Sequence, residues 1–305
     1  MWRYVLKRLL TAILTVMIAA VATFVMVRFA PGDPVLILIG EYATPEQIAA
    51  ARAEFGLDRP LLEQLAIYVW KALRLDFGQS ITQGIPVAQI VLGRMPETLL
   101  LATVTMVLIM LVSVPLGMMS AVRQDRPLDR VATGGSFVAL SLPDFWVGIV
   151  LILVFARWLH LLPSAGFVGP SSIILPAVTL ALPLAALNLR LMRNETLNVL
   201  NAPYITLARA RGLSHRAVLR RHVLRNAIIP ALTVMGVQFG KLLGGAAIVE
   251  TVFGWPGLGE LLVRSINGRD YPVVQGCIIV ITVMVVTANL IVDIAYRRID
   301  PRFRT

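Results

Sequence analysis

The chain offers few of the groups that catalysis or metal binding requires. It contains one cysteine, Cys277, which lies inside an apolar run, so no disulfide can form within the chain and we expect a packed core thiol. His215 and His222 have no cysteine or carboxylate nearby, which argues against a metal site. No G-x-S-x-G nucleophile motif occurs. The sequence therefore predicts a protein that is not an enzyme and carries no cofactor or metal of its own.

A phosphate-binding loop is also missing. The stretch from Gly236 to Lys241 resembles one, but it has one residue too few between its glycines and no Ser or Thr after the lysine. It also lies within an apolar run. The chain cannot hydrolyse ATP by that route.

Charge is scarce, and acidic charge is the scarcer kind. Charged residues make up 15% of the 305 residues, with 28 Lys and Arg against 17 Asp and Glu, while 57% of the chain is hydrophobic and the mean hydropathy is +0.79. A net charge of +11 in a soluble protein would suggest nucleic acid. Here the basic residues cluster between long apolar runs, which is typical of the cytoplasmic loops of membrane proteins. We therefore expect membrane lipid and no nucleic acid as a partner.

Six apolar runs are long enough to cross a bilayer, which predicts an all-α membrane protein with six transmembrane helices. A cleavable signal peptide is the alternative for the first run, but the sequence Arg28-Phe29-Ala30-Pro31 is a poor cleavage site, which favours a retained span. The predicted spans are Leu9 to Val27, Thr98 to Val122, Val131 to Ala156 (interrupted only by Asp144), Ile173 to Leu189, Ile228 to Val249 and Tyr271 to Val292.

The distribution of basic residues predicts that both termini are cytoplasmic. With that orientation, eighteen Lys and Arg lie in the inner segments and nine in the outer ones, six of these nine in a long first loop that counts little. The expected organisation is an N-terminal tail and first span in 1–29, an extracytoplasmic helical loop in 30–97, and a five-span core in 98–305 that includes a cytoplasmic loop at 193–228.

The outer loop contains signals for two helices. Thr44-Pro45-Glu46-Gln47 predicts a helix start, with Thr44 as N-cap and Gln47 three residues later. A second amphipathic stretch follows Pro60. These helices are expected to lie on the outer membrane surface or to cap the spans; a folded lid without a binding role is the open alternative.

The cytoplasmic loop is basic and contains no acid after Glu195. Pro203 can start a short helix, Gly212 can supply a turn, and Ser214 is a natural N-cap for a second helix. Anionic lipid headgroups would explain the arginines. They would not explain small residues beside a tight turn, which favour insertion into a groove on another protein.

The sequence of this loop resembles a known family. PYITLARARGLS followed by LRNAIIPALT is similar to the signature loop of binding-protein-dependent ABC importer permeases, in particular those of dipeptide, oligopeptide and nickel importers. The family's Glu-Ala-Ala positions are occupied by Thr206, Leu207 and Ala208, a departure that the peptide-importer branch shares. Further matching motifs occur in order along the chain: PGDP at 31–34, FGLDRP at 55–60, LDFGQS at 75–80, RMPETL at 94–99, SLPDFWVG at 141–148, ETVFGWPGLGELL at 250–262, RDYPVVQG at 269–276 and the tail NLIVDIAYRRIDPR.

The resemblance implies a type I ABC importer permease of a bacterial inner membrane. Such a permease pairs with a second permease, heterodimerically in the expected case, and works with two cytoplasmic ATPase subunits and an extracytoplasmic binding protein. Peptides are the implied substrate, with glutathione, opines or nickel complexes as alternatives and a stand-alone secondary transporter as a more distant one. The implied ATPase-coupling residues are Tyr204, Ala208, Arg209, Ala210, Arg211, Gly212 and Leu213.

Two further groups of residues within the spans are candidates. Asp144, Lys241 and Glu250 are intramembrane charges that could line the translocation pathway, although a helix-capping role for Asp144 and a surface position for Glu250 stay open. Gly236, Gly240 and Gly244 form consecutive small-xxx-small steps that predict close helix packing. The expected contact is the partner permease or the second or third span; core packing within the chain is the simpler alternative.

Overall fold

A computed structural model describes residues 2–29, 44–47 and 58–299, and these residues are helical or irregular, with no strand among them. The first four labelled helices are α1 (Trp2–Phe29), α2 (Leu61–Leu73), α3 (Val87–Val122) and α4 (Pro127–Ser141). The chain continues through α5 (Asp144–Leu151), a π-helical extension of α5 (Ile152–Trp158), a 3₁₀ turn (Pro170–Ile173), α6 (Ile174–Leu200), α7 (Pro203–Ala210), α8 (His215–Val218), a π turn (Leu219–Val223), α9 (Leu224–Gly245), α10 (Ala247–Val252), α11 (Leu258–Asn267) and α12 (Tyr271–Ile299).

The described helices confirm the predicted all-α membrane fold. Five helical segments are long and apolar enough to cross a membrane, and the bent pair α4–α5 makes a sixth if it is one span. The structure extends several predicted spans. α3 begins eleven residues before Thr98, α6 runs on to Leu200, and α12 to Ile299. The orientation of the termini and the three-part division at residues 29 and 97 stay predictions.

The third predicted span is not continuous, and this corrects the expected single run from Val131 to Ala156. α4 ends at Ser141, α5 begins at Asp144, and the two helices are bent by 105°. Proline has no N–H to donate and pushes the preceding residue out of the helical region. Leu142 accordingly adopts extended angles, φ −89° and ψ 132°, before Pro143. Asp144 is the first residue of α5 and follows the N-cap residue Pro143, which provides no side-chain capping hydrogen bond.

The predicted capping signal in the outer loop is present. The Thr44 N–H donates to Gln47 Oε1 at 2.9 Å, and the Gln47 N–H donates to Thr44 Oγ1 at 3.3 Å. These reciprocal bonds satisfy two backbone donors that a helix start leaves unpaired. The continuation of this helix lies outside the described residues. The second amphipathic stretch is α2, which packs on α1 through Tyr68, whose ring lies 5.6 Å from that of Phe24.

Two compact units emerge from the packing, and the first comprises residues 1–96 and 257–286. Its core includes Val87 and Val91 of α3, Leu258 and Leu261 of α11, and Cys277 of α12. Cys277 is fully buried in this core, as predicted. This core joins α11 and α12 to the start of α3.

A buried carboxylate closes one loop of the first unit. Asp270 accepts hydrogen bonds from the Ser80 and Thr82 hydroxyls and from the backbone N–H groups of Ile81 and Thr82. Burial by itself raises the pKa of Asp270, but these donors outweigh it and hold the pKa below its ordinary value. The ionised carboxylate of Asp270 therefore holds the loop at residues 80–82 in place.

The second unit comprises residues 97–256 and 287–305 and is built around α6. α4, α5 and α9 pack against this helix. α6 and α9 are antiparallel, since Met192 packs with Ala227 and Ala231, whereas Ala185, two turns earlier on α6, packs with Met235. Pro183 lies inside α6 and cannot donate to the carbonyl of Thr179, which neighbouring helices tolerate in a membrane bundle.

The small residues of α9 pack within this chain. A Cβ placed on Gly236 would come within 2.2 Å of Val292, and one on Gly240 within 2.6 Å of the Asn289 side chain, both on α12. The contact is therefore with the last helix and not with the second or third span. Gly244 is exposed. Close backbone approach of this kind supplies packing energy where the surrounding lipid is as apolar as the helices.

Candidate functional site

The loop between α6 and α9 carries the short helix α7, and local sequence determines both of its ends. Pro203 occupies the first helical position after Ala202, where its missing N–H is not needed. At the other end Gly212 has φ +81°, its N–H donates to Arg209 O at 2.9 Å, and the Leu213 N–H donates to Ala208 O at 3.3 Å. This pair of bonds is a Schellman cap, which glycine accommodates without strain. The predicted turn at Gly212 is confirmed.

Below α7 a small apolar core fixes its position. Ile205 of α7, Val218 of α8 and Val223 of the π turn are fully buried and pack together. Ser214 caps α8, its Oγ accepting from the Ala217 N–H at 3.3 Å, as expected. α7 is therefore packed against the last residues of α6 and the turn that precedes α9.

The outer surface of α7 combines apolar and basic side chains. Tyr204 and Leu207 are 45% and 53% exposed. Arg209, Ala210, Arg211, Gly212 and Leu213 are exposed as well. Ala208, in contrast, is 7% exposed and lies on the inner side of the helix. Six of the seven predicted coupling residues are therefore accessible to a partner, and Ala208 is buried. An eight-residue helix is about 12 Å long, a size suited to a groove on a partner protein.

Two of the three predicted pathway charges lie in one cleft of the second unit. Asp144 at the start of α5 and Lys241 of α9 line a cleft of about 150 Å³, and both side chains are exposed. The remaining lining residues are apolar or small: Leu180, Pro183, Leu184, Leu242 and Gly245. Within the described part of the chain neither Asp144 nor Lys241 forms an ion pair. The cleft therefore presents a negative and a positive group that are both free to meet a ligand.

Glu250, the third predicted pathway residue, lies elsewhere. It is fully buried in α10, and its Oε1 accepts a hydrogen bond from Thr98 Oγ1 at 3.0 Å. Its backbone carbonyl accepts from the Trp255 N–H at 2.8 Å, and the Trp255 indole N–H donates to Glu97 O at 3.0 Å. The Glu250 side chain therefore lies neither at the surface nor in the cleft. It holds the start of the α10–α11 connection against α3.

Sequence reasoning missed a buried ion pair. Arg193 of α6 donates to both carboxylate oxygens of Asp129 in α4, at 2.6 and 2.8 Å. Asp129 also accepts from the Ser120 hydroxyl of α3 and from the Asp125 N–H at 2.9 Å. The pair ties three helices together. The sequence did contain one signal for this pair. Asp129 is an acidic residue in a mainly basic segment, close to Arg123, Arg126 and Arg130, which suggests that it has a specific basic partner.

A second missed feature is a polar contact within the spans. Asn188 Nδ2 of α6 donates to Gln238 Oε1 of α9 at 2.5 Å, and both residues are buried. The two positions are fifty residues apart, so only the register of α6 against α9 reveals the pair. A hydrophobicity profile treats each as a single polar residue in an apolar run.

Comparison with known proteins matches the whole chain to one class of transport protein. Residues 113–305 match the family "Binding-protein-dependent transport system inner membrane component", and residues 1–102 match the N-terminal model of the corresponding membrane component. The chain is 40% identical over 304 residues to the glutathione transport system permease protein GsiC of Salmonella choleraesuis (strain SC-B67), covering all of this chain and 99% of the relative. The same identity and coverage hold for GsiC of Escherichia coli (strain K12).

A solved structure shares the fold. The crystal structure of an amino acid ABC transporter with histidines superimposes with a TM-score of 0.53 and 19% identity, covering 68% of this chain and 94% of the other. At that identity the likeness concerns the helical architecture alone.

Proposed function

Because the chain belongs to the family of binding-protein-dependent transport system inner membrane components, we propose that it forms one half of a translocation pathway for small peptides. The chain is the permease subunit of an ATP-driven ABC importer and a multi-pass protein of the bacterial inner membrane. It is a transport protein and not an enzyme. The substrate and the contacts with partner subunits are the proposed parts.

The cleft at Asp144 and Lys241 is the observation that supports a peptide substrate. A charge inside the membrane is costly, and it persists where it faces a partner or a water-filled path. A peptide carries an ammonium group at one end and a carboxylate at the other, and the cleft presents one group that complements each. The relatives are named glutathione permeases, and glutathione is itself a tripeptide with both kinds of charge; it is the alternative substrate within the same class.

The surface of α7 supports the proposed coupling to an ATPase. Tyr204, Leu207 and Leu213 give it an apolar centre, and Arg209 and Arg211 add charge at its end. The buried Ile205 packs beside the last residues of α6 and the turn that precedes α9. The opposite halves of the same two helices line the cleft. Closure of an ATPase pair would thereby move the cleft walls as rigid bodies. Two ATPase subunits, a second permease and an extracytoplasmic binding protein complete the proposed complex.

A reconstituted complex tests the substrate proposal. The permease, its second permease, the ATPases and the binding protein are placed in vesicles, and uptake of labelled alanyl-alanine, glutathione and a nickel–histidine chelate is measured with and without ATP. We expect ATP-dependent accumulation of alanyl-alanine or glutathione. Accumulation of the nickel chelate alone, or uptake that needs no ATP, would contradict the proposal.

Gly212 provides a test of coupling. Gly212→Asp places a negative charge on the basic surface of α7 at a position with φ +81°. Gly212→Asn is the matched control, because asparagine tolerates the same backbone conformation without the charge. We expect the Asp variant to insert and lose transport, whereas the Asn variant retains most of it. Equal transport by both variants would count against docking through this surface.

A further inference from the structure

The short helix α2 of the first unit has two apolar faces, and α1 packs against one of them. Tyr68, near the middle of α2, contacts α1 through a hydrogen bond of 3.3 Å between its hydroxyl and that of Thr23, and through its ring contact with Phe24. Leu62 and Leu73, on a neighbouring face, are 82% and 70% exposed. Among the described residues, α2 therefore keeps a second apolar face that stays uncovered.

The uncovered face forms a stripe along the length of α2. Leu62, Ala66, Val69 and Leu73 follow one another at alternating steps of four and three residues, which places them on one side of a helix. Leu62, Ala66 and Leu73 are exposed, and Val69 is half-buried. Lys71 falls on the opposite side of the helix and is exposed as well. α2 is thus amphipathic, with an apolar stripe about 16 Å long.

The contact with α1 places α2 at the edge of the membrane. The apolar span of α1 runs from Leu6 to Val27 and has 22 residues, and its length of about 33 Å matches a hydrocarbon core of about 30 Å. Thr23 precedes Val27 by one turn and lies about 6 Å inside that end of the span. An interfacial helix buries its apolar face about 5–10 Å into the boundary between headgroups and acyl chains. Tyr68 therefore holds the middle of α2 at the depth of an interfacial helix.

The stripe is continuous with a surface that faces lipid. α1 is an apolar span, and its side chains Leu14, Ile18 and Val25 are exposed. Because α2 packs directly on α1, the lipid that surrounds the outer end of α1 also reaches the neighbouring face of α2. A lipid surface is therefore the occupant of the stripe that the structure favours over a soluble protein.

An aromatic and a basic side chain stand at the end of the stripe. Trp70 is 57% exposed, and the Arg74 guanidinium lies 4.4 Å from the centre of its ring. Within the described part of the chain Arg74 forms no ion pair. Tryptophan prefers the headgroup level of a bilayer, and arginine is attracted there by lipid phosphates. The two side chains therefore suit the headgroup layer next to the buried stripe.

We infer that α2 is an interfacial membrane anchor. Its stripe from Leu62 to Leu73 lies among the acyl chains of one leaflet, the extracytoplasmic one in the predicted orientation, and Trp70 and Arg74 contact phospholipid headgroups. The anchor places α2 on the membrane and not in a lid held away from the bilayer. The inference goes beyond the proposed function, because it concerns how the subunit is held in the membrane and not what it transports.

Spin-label accessibility tests the position of the stripe. Cys277 is first replaced by alanine, and a nitroxide is attached to Leu62→Cys or Leu73→Cys, with Lys71→Cys as the matched control on the opposite side of α2. The permease is assembled with its second permease and ATPases in nanodiscs of phosphatidylethanolamine and phosphatidylglycerol. Relaxation by oxygen, which concentrates in the bilayer, is compared with relaxation by nickel ethylenediaminediacetate, which stays in water. We expect the ratio of oxygen to nickel relaxation to be about fivefold higher on the stripe than at Lys71→Cys.

Two outcomes of this experiment would overturn the anchor. An equal ratio at the three positions would place the stripe in water. Poor access of both reagents to Leu62→Cys and Leu73→Cys, before or after the binding protein is added, would mean that protein and not lipid covers the stripe. An unchanged high ratio in the presence of the binding protein supports the anchor.

Fluorescence quenching provides a second measurement that needs no label. The part of the tryptophan emission that is lost in Trp70→Phe belongs to Trp70. We expect brominated phosphatidylcholine in the nanodisc to quench this part about twofold more strongly than iodide in the surrounding water. Stronger quenching by iodide would place Trp70 in water and contradict the anchor, even if the labelled variants failed to assemble.

Discussion

The second unit contains two sets of one acidic and one basic residue, and the sets differ in whether the two charges form an ion pair. Asp129 and Arg193 meet in a bidentate ion pair, and the carboxylate has further donors from Ser120 and the Asp125 N–H. Asp144 and Lys241 share a cleft, but neither forms an ion pair in the described part of the chain. In the first set Asp129 is buried, Arg193 is half-buried and the two are paired; in the second set both residues are exposed and form no ion pair.

The contrast separates charge that maintains the fold from charge that serves a ligand. Removing one member of a buried pair leaves the other desolvated and unpaired, which is strongly destabilising. Removing an open charge relieves the protein of an electrostatic cost and takes away only what the charge binds. Stability and transport should therefore respond in opposite ways to substitutions in the two sets.

The largest expected effect on stability is at Arg193. Arg193→Ala leaves the Asp129 carboxylate buried without its main donor, and we expect a loss of about 3–5 kcal/mol. The measurement is the yield of folded, detergent-extracted permease and its thermal unfolding. The matched control is Asp129→Leu with Arg193→Met, in which no buried charge remains and most of the stability should return. An Arg193→Ala variant as stable as the wild type would contradict the claim that the ion pair with Asp129 maintains the fold.

A smaller effect is expected at Asp270, the satisfied carboxylate of the first unit. Because its folded-state pKa is depressed, it stabilises the fold fully above the ordinary Asp pKa of about 3.9, and this contribution is lost as the pH falls through the lower folded value. Asp270→Asn should lower stability near neutral pH by about 1–3 kcal/mol. The difference between wild type and variant should shrink as the pH falls below 4. Thermal unfolding at several pH values checks this, and a difference that grows in acid would contradict the assignment.

The smallest effect on stability is expected at the open pair. Asp144→Asn and Lys241→Gln should leave unfolding unchanged within about 0.5 kcal/mol, because neither side chain is paired. Transport of alanyl-alanine and glutathione by the reconstituted complex should nevertheless fall about tenfold, as one charge-assisted contact is lost in the cleft. Reduced stability together with normal transport would show that these charges are structural after all.

The parts of the molecule that sequence predicted best are those governed by neighbouring residues. The start of α7 at Pro203, the turn at Gly212 and the cap at Ser214 each depend on backbone chemistry within a few positions. The capping bonds between Thr44 and Gln47 belong to the same kind. The spans followed from hydropathy, but the 105° bend did not, although Pro143 was the visible signal for it.

What sequence could not supply was register between distant helices. Asp144 and Lys241 were candidates as single charges, but their common cleft depends on the packing of α5, α6 and α9. The same reason applies to Asn188 with Gln238 and to Asp129 with Arg193. For Glu250 the sequence indicated an unusual charge, but the contact of its buried carboxylate with Thr98 joins two positions 152 residues apart and depends on how α10 packs against α3.

The central claim, that ATP hydrolysis by partner subunits drives peptide import through the surface of α7, is tested most directly by reversing charge there. Arg209→Glu with Arg211→Glu alters two exposed residues, so the fold should be retained. Accumulation of alanyl-alanine and glutathione by the reconstituted complex is then compared with that of the wild type. We expect ATP-dependent accumulation to be abolished while the permease remains folded in the vesicles. Accumulation at the wild-type rate, with the ATPase subunits still bound, would contradict it.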